Sequence, residues 1–135
     1  MAVNREVLQP FSDHLTFFGY EVRFDEIGLA ATHSLKPSFR VYTLPEGVIF
    51  LAPYAIGQAI TNDMTGFMDF LNRVNAGTGL CKYYLSFGKF FVQACYPAEY
   101  ERQRFGRFFE AFLNGIGAPS AMFTAEVAKY FGSEG

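Results

Sequence analysis

Cysteine is scarce: two in 135 residues. That number excludes a disulfide framework as the source of stability. Tryptophan is absent. Basic residues do not outnumber acidic ones, since 11 Lys and Arg stand against 13 Asp and Glu, for a net charge of −2. Nucleic-acid binding through phosphates needs a clustered positive excess, which the chain as a whole lacks. No stretch approaches the ~18 uninterrupted apolar residues of a membrane span. Residues 1–10 contain Asn4, Arg5 and Glu6 and no apolar run, so they do not read as a signal peptide. With no address in the sequence, the expectation is a soluble cytoplasmic protein without a membrane or nucleic-acid partner.

Catalytic constellations are missing too. There is no Cys-x-x-Cys and no His-x-x-x-His. Cys81, Cys95 and two distant histidines form no nucleophile–base pair at a recognisable spacing. No serine sits in a nucleophile elbow. Asn75-Ala76-Gly77-Thr78-Gly79-Leu80 has two glycines, but it leads from helix to strand, the reverse of a phosphate-binding loop. Arg102, Arg104 and Arg107 form a short basic run, read as a solvated face paired with Glu99 and Glu110. His14 reads as a half-buried histidine with one polar partner, because a metal site needs several convergent ligands. The expectation is a non-enzyme with no cofactor and no metal.

What the chain has is aromatic carbon: 17 Phe and 8 Tyr, within a composition that is 50% hydrophobic. That is ample for one core, and the length predicts a single domain over residues 1–135. Rings bury much area with few rotatable bonds, and they are enriched at interface cores.

The stretch 63–116 organises the rest. Met64, Phe67, Met68, Leu71 and Val74 recur at helical spacing behind the cap candidates Thr61, Asn62 and Asp63. Residues 81–96 alternate. A two-residue Gly88-Lys89 loop, glycine first, pairs Phe87 with Phe90, Leu85 with Val92, Tyr83 with Ala94 and Cys81 with Tyr96. A turn centred on Gly88 would instead oppose the two cysteines and mix Lys89 and Gln93 with Leu85. The first register gives one apolar face and a mixed face of Lys82, Tyr84, Ser86, Phe91, Gln93 and Cys95, with unbonded thiols on opposite sides. Phe105, Phe108, Phe109, Phe112 and Ile116 then return to helical spacing. Pro97 suits the first position of that helix, and Gly115, Gly117 and Pro119 should end it. Ser120 can cap a last helix burying Phe123, Val127 and Phe131, and residues 132–135 should fray.

Before residue 63 the pattern is less regular. Val7, Phe11, His14, Leu15 and Phe18 predict a helix that either starts at Pro10 or kinks there. Residues 20–25 alternate, residues 29–35 are ambiguous, and residues 39–44 are rich in β-branched and aromatic side chains. Residues 48–52 are apolar throughout, which suits a strand covered on both faces. The second cover is either the C-terminal segment or a second chain.

This order is helix, three strands, helix, two strands, helix. With the helix end Phe70-Leu71-Asn72-Arg73-Val74-Asn75, the strand Lys82–Phe87 (KYYLSF) and the segment Phe90–Pro97 (FFVQACYP), it resembles the YbjN-like domains, which are similar to the type III secretion chaperone fold. Residues 67–112 carry most of the likeness, and Asn75 is its most family-like residue. Residues 1–52 match in element order only, and the helix after Pro119 and the high Phe content depart from the pattern. The resemblance implies an α+β domain, an antiparallel sheet with helices packed on it, that often dimerises and binds other proteins. Its implied role is non-enzymatic, chaperone-like or regulatory, with an unknown protein partner. Tyr84, Phe91, Phe50 and Leu51 are the candidate contacts, from the mixed face of the hairpin and the doubly apolar strand. The alternative is a small apolar-ligand carrier, or an unrecognised enzyme, with a Phe/Tyr-lined pocket between sheet and helices that includes His33, Tyr83 or an arginine.

Overall fold

Alternating segments become six strands and periodic segments become five helices among the described residues, 5–132, of the computed structural model. Of the residues expected to fray, 133–135 lie outside that range. Helix α1 (Arg5–Phe17) leads into β1 (Glu21–Phe24), β2 (Leu29–Thr32), β3 (Phe39–Leu44) and β4 (Gly47–Ala55). The short α2 (Gln58–Thr61) and α3 (Met64–Gly77) follow. A second hairpin, β5 (Lys82–Ser86) and β6 (Lys89–Tyr96), precedes α4 (Arg102–Met122) and α5 (Thr124–Phe131). The strands form one antiparallel sheet in the order β1-β2-β3-β4-β6-β5. Strands β4 and β6 pair from Val48↔Tyr96 to Ala55↔Lys89, so the two hairpins fuse along their longest strands.

All five helices cover the same face of this sheet. Leu29, Val41, Phe50 and Ala94 are ladder neighbours on that face, and all are buried. Rings dominate the contact. Phe50 lies 5.4 Å from Phe112 and 5.3 Å from Phe108 of α4, Phe11 of α1 lies 5.7 Å from Tyr96, and Phe67 of α3 lies 6.0 Å from Phe90. Near-perpendicular and offset arrangements of this kind add to the area term. At the C-terminus, Asp63 both caps α3 and clasps α5. Its carboxylate accepts from Gly66 N at 3.2 Å, Lys129 Nζ at 3.1 Å and Tyr130 Oη at 2.9 Å. Lys129 and Tyr130 hold that carboxyl below the usual range.

Several expectations are corrected by tertiary context. Four strands precede the central helix rather than three: Leu29–Thr32, ambiguous by pattern, gains ladders to both β1 and β3. Helix α1 runs through Pro10 and buries Leu8, Phe11, Ser12 and Leu15, while Val7 and Phe18 are about two-fifths exposed. The polar Ser12 inside the stripe disguised which face was inward. In α3, Phe70 is buried and Met64 and Met68 are not. Helix α4 starts at Arg102 rather than Pro97, because Glu101 accepts from the backbone N–H of Gln103 and Arg104 and caps it.

That helix also continues through Pro119 to Met122. A proline inside a helix leaves the carbonyl four residues earlier without its N–H partner. Here that carbonyl, Gly115 O, accepts the Tyr83 hydroxyl at 2.5 Å, so a strand side chain replaces the missing donor. A side chain at Gly115 would also run into Cys81 Sγ. The last helix is accordingly not capped by Ser120. It starts at Thr124 and buries Tyr130, while Phe123, Val127 and Phe131 are partly buried against the core.

The second hairpin turns at Phe87-Gly88, not Gly88-Lys89, since Ser86 pairs with Lys89. Leu85 therefore faces Phe90 and Tyr83 faces Val92. Both turn residues have positive φ, 51° and 73°, the type I′ geometry that fits the twist of the strands. Glycine accepts that conformation freely, whereas phenylalanine is strained in it. The Phe87 ring contributes nothing in return, being 99% exposed. Phe87→Asn is therefore expected to raise stability by about 1 kcal/mol. A thermal melt should show a midpoint a few degrees higher; an unchanged or lower midpoint would refute the strain.

Candidate functional site

The face of the sheet opposite the helices carries a row of half-buried apolar side chains. Strand pairing places them. One row runs Arg40, Leu51, Gln93, Lys82; a second runs Tyr42, Ile49, Cys95; a third runs Pro53, Phe91, Tyr84. Tyr42, Ile49, Leu51, Phe91 and Tyr84 are each partly exposed, and Cys95 and Pro53 are exposed. Because strand side chains alternate, every one of these residues is next in sequence to a core residue.

Local bonds hold the face in shape. The Tyr84 and Phe91 rings are 5.6 Å apart at 30°, and the Tyr84 hydroxyl donates to Gln93 Oε1 at 2.6 Å. Burial pushes the Tyr84 phenol up from its ordinary value, so it stays a neutral donor. Arg40 stacks on Tyr42, with its guanidinium carbon 5.4 Å from the ring centre, and donates through Nε to the Tyr42 hydroxyl at 2.7 Å. The same guanidinium pairs with Asp25, whose carboxyl it holds below the usual range. The face is thus apolar in the middle, with Arg40 and Asp25 towards one side and Lys82 and Lys89 at the β5 side.

Three of the four expected contact residues lie here. Tyr84 and Phe91 are cross-strand partners, and Leu51 is two positions along and one strand over. Phe50 is not with them. It points to the helices, is fully buried, and has no surface to give a partner. Tyr42 and Ile49 join them on this face; their signal in the sequence is the register that alternates them with Val41 and Val48.

The remaining marked residues are scattered. His14 Nδ1 shares a 2.7 Å hydrogen bond with the Tyr100 hydroxyl, and burial, helped by Arg102, keeps its pKa below the ordinary value. His33 lies in the β2–β3 connection, where Nδ1 accepts from Leu35 N at 2.9 Å and Lys36 N at 3.2 Å; it lines no cleft with Tyr83. Cys81 is buried and its thiol is pushed up to about 11 by that burial, while Cys95 is exposed on the open face, so the two are unbonded on opposite sides. Arg102, Arg104 and Arg107 are exposed on α4, with no ion pair to Glu99 or Glu110 among the described residues. No group of three or more His, Cys, Asp or Glu among the described residues is arranged to hold a metal ion. No helix among them is long and apolar enough to cross a membrane.

No family model matches the chain, and no curated protein matches it. A solved structure does: that of YbjN, a proposed transcription regulator from E. coli, superposes with a TM-score of 0.71, covering 91% of this chain and 93% of that one. The chain has the YbjN-like fold. At 13% identity, the two share architecture rather than side chains. Within the YbjN-like fold of this protein, Asn75 has a visible task. Its side-chain amide donates to Tyr83 O at 2.8 Å and its side-chain oxygen accepts from Tyr83 N at 2.9 Å. It thereby pairs with the outer edge of β5 as a neighbouring strand would.

Proposed function

We propose that residues 1–135 act as one non-enzymatic protein-binding domain, chaperone-like or regulatory, and as a homodimer through the open face of the sheet. The observation that supports this reading is that face itself: six strands wide, with no described helix on it, and bearing Tyr42, Ile49, Leu51, Phe91 and Tyr84 in adjacent rows. An exposed apolar patch rimmed by polar groups marks an interaction surface. A second copy suits it best. Two such faces can pack sheet on sheet at ~10 Å, with their rings interdigitated. The rim is polar: Glu21 pairs with Arg23 on the β1 edge strand at 3.8 Å, and Lys82 and Lys89 stand at the other side with no ion pair among the described residues. YbjN is a proposed transcription regulator, and a regulator that works through protein contacts is compatible with this reading.

Sedimentation velocity tests it. The unmodified protein should sediment as a dimer at micromolar concentration. Phe91→Ser removes the central ring from the face without touching the core, and should give a folded monomer. A monomer at every concentration in the unmodified protein would remove the dimer.

A further inference from the structure

On the opposite side of the sheet, a cleft of about 260 Å³ opens between the β4–β6–β5 end and helices α3, α4 and α5. Its floor is Phe90 and Val92, its walls are Phe70, Ile116 and Val127, and Tyr54 stands among the lining residues. No charged side chain lines it. Ile116, Val127 and Tyr54 are only partly buried, so solvent-side access exists. Helix α5 closes one side and is held by surface pairs to α3, Arg73 with Glu126 at 3.0 Å and Lys129 with Asp63 at 3.1 Å.

A second observation points at a ligand. Tyr54 is partly buried, yet its hydroxyl has no hydrogen-bond partner among the described residues, and burial pushes its phenol up from the ordinary value. That hydroxyl keeps contact with solvent, since Tyr96 Oη is the only fully buried side-chain oxygen or nitrogen without a partner among the described residues, so the Tyr54 hydroxyl is free to bond a guest. The other phenol in the lining, Tyr83, is already committed to Gly115 O.

We infer that this cleft binds a small uncharged aromatic molecule of about two fused rings, with one polar group hydrogen-bonded to the Tyr54 hydroxyl. Apolar cavities of ~150 Å³ take benzene, so the larger volume here suits a bicyclic ring. The lack of a lining cation disfavours carboxylates and phosphates, because an anion would be desolvated without compensation. This site is separate from the open face, and neither reading depends on the other.

The probe is 2-naphthol, followed by isothermal titration calorimetry and by NMR. The unmodified protein should bind one equivalent saturably. Nuclear Overhauser contacts should run from the naphthol ring to the methyl groups of Val92 and Val127. Tyr54→Phe should weaken affinity by roughly three- to tenfold, the usual effect of one hydrogen bond. Ile116→Phe should fill the cleft and abolish binding while raising the melting temperature. Absence of saturable binding would overturn the inference. So would contacts to Ile49 and Leu51 instead of Val92 and Val127, a result that stands even if Ile116→Phe does not fold.

Discussion

Phe50→Ala is expected to destabilise the protein by about 3–5 kcal/mol. Phe50 sits on β4, with β3 on one side and β6 on the other, and is fully buried. Its ring meets Phe39 at 5.2 Å, Phe105 at 5.7 Å, Phe108 at 5.3 Å and Phe112 at 5.4 Å, so it is the point where α4 is pressed onto the sheet. Truncation leaves a hollow that these neighbours, rigid rings themselves, cannot collapse into. Domains of this size have total stabilities of about 5–15 kcal/mol, so the loss would take a large share. Urea unfolding should show a lower midpoint with an unchanged slope. A loss under about 1 kcal/mol would mean that the ring packing does not hold α4 in place. The contrast with Phe91→Ser is informative: the first variant should change stability and the second should change assembly, although the two residues lie on adjacent strands.

Asn75→Ala should have the next largest effect, about 1–3 kcal/mol, the penalty for leaving backbone groups poorly partnered. The effect stays below that of a buried pair because Asn75 is exposed and water can replace part of what is lost. A second consequence matters more. β5 is an edge strand, and an unpaired edge invites pairing with another chain. Asn75 occupies both backbone groups of Tyr83, so its removal uncovers that edge. The Tyr83 amide should lose protection in hydrogen exchange, and the variant should associate at higher concentration. Asn75→Asp separates the two bonds: it can still accept from Tyr83 N but cannot donate to Tyr83 O, so it should fall between alanine and asparagine. If the Tyr83 amide keeps its full protection in Asn75→Ala, the edge is covered by something else.

The second hairpin shows how a pattern can be right while its turn is wrong. The turn expected at Gly88-Lys89 is found at Phe87-Gly88. That moves the β5 partners by two positions, and a shift of two returns every side chain to its own face. Tyr83 stays inside and Tyr84 outside. Only the positive φ at Phe87 was invisible, because propensity speaks against it. Residues 48–52 posed the opposite problem. With apolar side chains on both faces, alternation could not say whether Phe50 or Leu51 faced the helices. The ring cluster of α4 decides it, and with it the loss of Phe50 from the candidate contacts.

What the sequence determined by itself was periodicity: which residues of the second hairpin and of the first half of α4 share a face, where α3 is capped, and that the cysteines are unbonded. These depend on spacing along the chain and on backbone geometry, both local. The tertiary structure decided the rest. It turned Leu29–Thr32 into a strand by giving it two neighbours, carried α4 past Pro119 by lending Gly115 O a hydroxyl from β5, and put every helix on one side of the sheet. Each of these depends on groups far apart in the chain meeting across the core, and such a meeting leaves no local trace.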